Sequence, residues 1–151
     1  MQSTYLKKKD IVEFLRNEIV EMYFDDHAIS WKEAKKIPID FAKFYSYPAE
    51  GTYDVELLLK IEKVTSKYEA IFCYFVDLHN ENNIFSIPFF KIWRRDIPKD
   101  AVLSYDERRC YIPLISENTT ITNIHLGTNL EINLVKSNKS QYLELISCKL
   151  K

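Results

Sequence analysis

Two glycines, Gly51 and Gly127, serve the whole chain. A phosphate-cradling loop needs several glycines close together, so that the backbone can approach its ligand. Their scarcity excludes the P-loop and the dinucleotide-binding fingerprint. Turns must then rely on other residues. Asn80, Asn82, Asn83, Asn118, Asn123, Asn129 and Asn138 are the natural substitutes, because asparagine tolerates positive φ.

Cysteine is also sparse, with Cys73, Cys110 and Cys148 far apart in sequence. An odd, scattered set fits neither a disulfide framework nor a C-x-x-C metal or redox pair. The three read as small buried hydrophobes in a reducing compartment. Long apolar runs are missing as well. The run IFCYFV, residues 71–76, falls far short of the roughly 20 residues that span a bilayer. Lys7, Lys8 and Lys9 resemble the basic start of a secretory leader, but charges recur in every later helical turn, so no leader is expected. A cytoplasmic location follows as the expectation.

No excess of one charge exists. The chain carries 21 basic and 22 acidic side chains and a net charge of −1. They are evenly mixed along the sequence, with no basic arm or acidic tail. A dedicated duplex-DNA binder shows its footprint in bulk charge, and this chain does not. What the chain has in abundance is aromatic residues, at 14%. The richness in Ile, Lys and Asn is what an A+T-rich genome encodes, as in a Firmicute-like bacterium, a phage or a mobile element.

The length of 151 residues suits a single domain, 1–151. Within it, residues 1–50 read as a helical N-terminal part and 51–151 as an antiparallel β part. In DIVEFLRNEIVEMYF, residues 10–24, Ile11, Leu15, Ile19 and Met22 make one apolar stripe at helical spacing. Asp10 and Glu13 resemble a capping box. Ser30 and Glu33 form the orthodox one and predict a short helix from Trp31 to Lys36, ended by Pro38.

From Thr52 the period changes to two. Tyr53, Val55, Leu57, Leu59 and Ile61 alternate with Asp54, Glu56, Lys60 and Glu62, and only Leu58 intrudes. Thr65, Ser66 and Lys67 make a tight turn. YEAIFCYFVD, residues 68–77, is apolar on both faces, as a strand buried on two sides would be. HNENN, residues 79–83, reads as a hairpin turn. CYIPLI, residues 110–115, is a further strand, and LEINLVK and QYLELISCKL pair through the turn at 137–140. The expected fold is α+β. An N-terminal amphipathic helix and a short second helix pack on a curled antiparallel sheet, or on a small OB-like β-barrel, of five to seven strands.

No catalytic motif, cofactor motif or metal set emerges. Asp25, Asp26 and His27 are metal-ligand types, yet His79 and His125 lack acidic or histidine partners at helical spacing. The triplet reads as a solvated helix end. His79-Asn80 resembles the start of a His-Asn-His nuclease core, but no ligand pair follows. One stretch holds binding chemistry: IFSIPFFKIWRR, residues 84–95. Strict alternation puts Phe85, Phe89, Lys91, Trp93 and Arg95 on one face, a stacking platform with a cationic end. Arg94 lies beside it, and Arg108 and Arg109 would complete four arginines suited to gripping phosphate or carboxylate; the expectation favoured is that Asp96, Asp106 and Glu107 neutralise them in surface ion pairs. The same pattern also describes a core strand with a solvated end. Pro88 removes a ladder donor, which marks an edge strand or a bulge.

Two functions follow as expectations. The first is a non-enzymatic protein-binding module of accessory, regulatory or immunity and inhibitor type. Its partner would be another protein, or a second copy paired through a sheet edge. The alternative is a single-stranded nucleic-acid-binding OB-like protein using the 85–95 strand.

Overall fold

The computed structural model describes residues 5–19, 28–41, 49–93, 124–136 and 143–151. Its centre is β2 (Gly51–Val64), which pairs antiparallel along its length with β3 (Tyr68–Asp77). Their turn is set by Thr65, whose Oγ1 accepts from the N–H groups of Lys67 and Tyr68 at 3.2 and 3.1 Å. β4 (Asn80–Trp93) pairs with the far side of β3. β5 (Asn129–Lys136) lies against the first half of β2, and β6 (Leu143–Leu150) against β5. A two-residue strand, β1 (Ile29–Ser30), runs parallel to the second half of β2. The order is β4-β3-β2-β5-β6, so β5-β2-β3-β4 is a Greek key. The two end strands, β4 and β6, approach one another. No ladder joins them among the described residues.

Three of the four antiparallel ladders contain a register shift. Leu57 pairs with Phe75 but Leu59 with Tyr74, leaving Leu58 as an extra residue in β2. Phe72 pairs with Pro88 but Ile71 with Phe90, leaving Phe89 extra in β4. Asn133 pairs with Ser147 but Leu134 with Leu145, leaving Ile146 extra in β6. Such bulges bend a strand and reverse which residues share a face beyond them. The regular alternation expected for β2 therefore holds only up to Leu57. Past the bulge Lys60 shares the row of Cys73, and Leu59 and Ile61 move to the face of Glu56.

The inner face collects Val55, Leu57, Cys73, Phe75, Phe85, Ile87, Leu130, Ile132, Leu134 and Cys148, each fully buried. Lys60 sits among them with 2% of its surface exposed, and its Nζ donates to the carbonyl of Ile124 at 2.7 Å. The segment leading into β5 is pinned at the same bulge. Gly127, at φ +89°, donates its N–H to the Leu57 carbonyl at 2.7 Å, and the Leu57 N–H donates to the Thr128 carbonyl at 3.0 Å. A side chain at Gly127 would be strained there.

The N-terminal segment covers the outer face of β2 and β3, which explains why residues 68–77 are apolar on both sides. Helix α1 (Lys8–Phe14) continues into a π-helical turn, Leu15–Ile19. Ile11, Leu15 and Ile19 are buried as the stripe requires; Met22 lies outside the described residues. The helix starts at Lys8, with Lys7 as a cap that makes no side-chain bond, so Asp10 is in the first turn and the expected Asp10–Glu13 box does not form. Helix α2 (Trp31–Ala34) is capped as expected, with Ser30 Oγ accepting from the Glu33 N–H at 3.1 Å. The expected turn at 79–83 is displaced. Leu78 and His79 make it, and Asn80–Asn83 belong to β4. The expected strand at 110–115 lies outside the described residues. Among the described residues no helix is long and apolar enough to cross a membrane.

Candidate binding surface

The strand singled out by its aromatics divides in two. Phe85 is fully buried, its ring 5.9 Å from Phe75 and 6.0 Å from Tyr53 between centroids. It fills the inner face and offers no surface to a ligand. The bulge at Phe89 then changes the register. Phe85 and Ile87 pair with Phe75 and Cys73, whereas Lys91 and Trp93 pair with Ala70 and Tyr68. Phe85, Lys91 and Trp93 therefore do not share one face, as strict alternation requires. Lys63 also pairs with Ala70, from the other side, so Lys63, Ala70 and Lys91 form one row across β2, β3 and β4. Arg94, Arg95, Arg108 and Arg109 lie outside the described residues.

A second group joins that row from the N-terminal segment. Trp31 opens α2 and is half-buried. The ammonium groups of Lys35 and Lys63 lie 5.8 and 5.0 Å from its ring centroid. At such distances each attraction contributes about 0.5–1 kcal/mol at an exposed site. Trp31 in turn leans on Phe41, centroids 6.3 Å apart, and Phe41 meets Tyr74 edge to face at 5.3 Å. Phe41 and Tyr74 are each only 6% exposed. The ring chain thus runs from the core to the surface and ends under two cations. Lys32 on α2, Lys36 in the turn after it and Lys67 in the Thr65–Lys67 turn are exposed.

Lys32, Lys35 and Lys36 are close in sequence, but no local pattern marks Trp31 and Lys63 as their partners. Trp31 reads there only as the first residue after a cap. Lys63 joins it through the parallel pairing of β1 with β2, which no local pattern announces.

The remaining polar clusters are structural links. Arg16 donates from Nε to both oxygens of Glu56 at 2.9 and 3.2 Å, and from a terminal nitrogen to Glu81 at 2.8 Å. It ties the π-helical turn to β2 and β4, and the bond to Glu56 raises the guanidinium pKa above its usual value despite opposing desolvation. Asp54 accepts from Lys151 and meets His79, both at 2.8 Å. Lys151 first, then His79, holds the Asp54 carboxyl below the usual range. His79 is 74% exposed and belongs to the β3–β4 turn. Among the described residues no three His, Cys, Asp or Glu side chains converge to hold a metal ion.

Burial pushes the thiols of Cys73 and Cys148 up to about 12. A thiol that stays protonated is a poor nucleophile. Iodoacetamide at mildly alkaline pH is therefore expected to label neither residue in the native protein and both after denaturation. Peptide mass spectrometry reads the two sites separately, and native labelling of Cys73 would contradict its burial.

Compared with protein-family models, curated proteins and solved structures, the chain matches none of them.

Proposed function

We propose that the protein is a non-enzymatic, single-stranded nucleic-acid-binding module, and that its curled sheet is an OB-like Greek-key barrel formed by β2 to β6. The observation that carries this reading is the row Lys63–Ala70–Lys91, with Trp93 paired to Tyr68 at the next inter-strand position used. It puts Lys63, Lys91, Tyr68 and Trp93 at neighbouring register positions at one end of β3 and β4. In OB-like barrels the second and third strands and the loop before them are where oligonucleotides bind. Here these are β3, β4 and the Thr65–Lys67 turn. The strand order, the approach of β4 to β6 and three strand-bending bulges support the barrel. A net charge of −1 is compatible with a local basic patch, because screening limits each charge to roughly 8–10 Å at physiological salt.

The test is a titration with a short oligothymidylate, followed by the fluorescence of Trp31 and Trp93. Saturable quenching that fades with salt is the expected result. Trp93→Ala is expected to weaken binding by about 1–3 kcal/mol, the value of one lost stack. Absence of any change at low salt overturns the reading.

A protein partner is the second reading. Val135 and Ile146, on neighbouring strands β5 and β6, are 39% and 51% exposed, and an apolar pair on paired strands suits an extended segment of another protein. Binding of that kind is insensitive to moderate salt.

A further inference from the structure

We propose that Lys35 and Lys63, held by Trp31, form a two-lysine clamp for the sugar–phosphate backbone of a bound single strand. The inference rests on the nucleic-acid reading and names the part of the site that grips phosphate.

Two ammonium groups, from Lys35 at the C-cap of α2 and Lys63 on β2, lie at one indole ring, 5.8 and 5.0 Å from its centroid. Neither is paired with a carboxylate among the described residues. Trp31 is itself backed by Phe41, which packs on Tyr74. The lysines are thus partly ordered before a ligand arrives, which lowers the entropy lost on binding. The indole ring is occupied by cations and serves as their seat. Stacking falls to Tyr68, partly exposed, and Trp93 at the register position opposite it. A base-bearing strand uses both halves of this surface, whereas an acidic peptide uses only the lysines.

The experiment measures the affinity of the full chain for oligothymidylate across a salt series. Each phosphate contact on a single strand contributes about 0.7 to the slope of log K against log salt. The double variant K35Q/K63Q is expected to flatten the slope by about 1.4. The control K136Q/K149Q carries the same change in net charge on exposed residues of β5 and β6 and is expected to keep the wild-type slope. Circular dichroism confirms that both variants fold. A slope unchanged in K35Q/K63Q, while the wild type binds, overturns the clamp and leaves the nucleic-acid reading standing. An equal loss in both variants overturns it too, by showing only a net-charge effect. Polyglutamate binding as tight as oligothymidylate overturns the assignment to a strand. Wild-type protein that does not bind at low salt removes the nucleic-acid reading itself.

Discussion

Phe85→Ala is expected to cost about 3–5 kcal/mol of stability, read as a lower urea midpoint with an unchanged slope. The ring is fully buried between Phe75 and Tyr53, in a part of the sheet bounded by backbone ladders on β3 and β2. Strands locked by hydrogen bonds collapse little into a void, so the cavity term adds to the lost transfer energy. The same variant separates core from ligand contact. Folded Phe85→Ala protein is expected to bind oligonucleotide as the wild type does. A loss below about 1 kcal/mol, the ordinary effect of a point change, would place the ring at the surface and refute the inner-face assignment.

Lys60 gives the second large effect. Its side chain is 2% exposed and reaches the Ile124 carbonyl at 2.7 Å. Lys60→Ala removes both the packed stem and the donor, and about 3 kcal/mol is expected from the cavity and the unsatisfied carbonyl together. Lys60→Met keeps most of the volume and removes only the polar contacts, so its cost is expected near 1–2 kcal/mol. The difference measures the packing of the stem. If Lys60→Ala unfolds at the wild-type midpoint, the side chain is solvated and the bulge at Leu58 does not turn it inward.

These two residues show how far the sequence is readable. The α+β class, the two helices, the Ser30 cap, the Thr65 turn and the antiparallel pairing all rest on local periodicity or local hydrogen bonding, and the structure has them. Facing is harder. Alternation sets faces correctly only while no residue is inserted, and each of the three bulges inserts one. The hints were present. Leu57-Leu58-Leu59 breaks the alternation of β2 at the bulge, and Pro88 immediately precedes the extra residue of β4. Read as a plain strand, the first misplaces Lys60 outside and the second groups Phe85 with Lys91 and Trp93. The clamp was less legible still, because Trp31 and Lys63 meet through tertiary structure alone.

β2 is also a seam in time. Its pairing with β3 closes over a three-residue turn, and β4 follows through another short one. Its pairing with β5, by contrast, joins Gly51 to Leu134, across most of the chain. Loop closure of that length costs entropy that local hairpins avoid, and such topologies fold slowly. The β2-β3-β4 meander can form early, and in that interval one side of β2 exposes its unpaired backbone and the apolar row Tyr53, Val55 and Leu57. The charged residues set between them, Asp54 and Glu56, then act as gatekeepers against association with another unfinished chain.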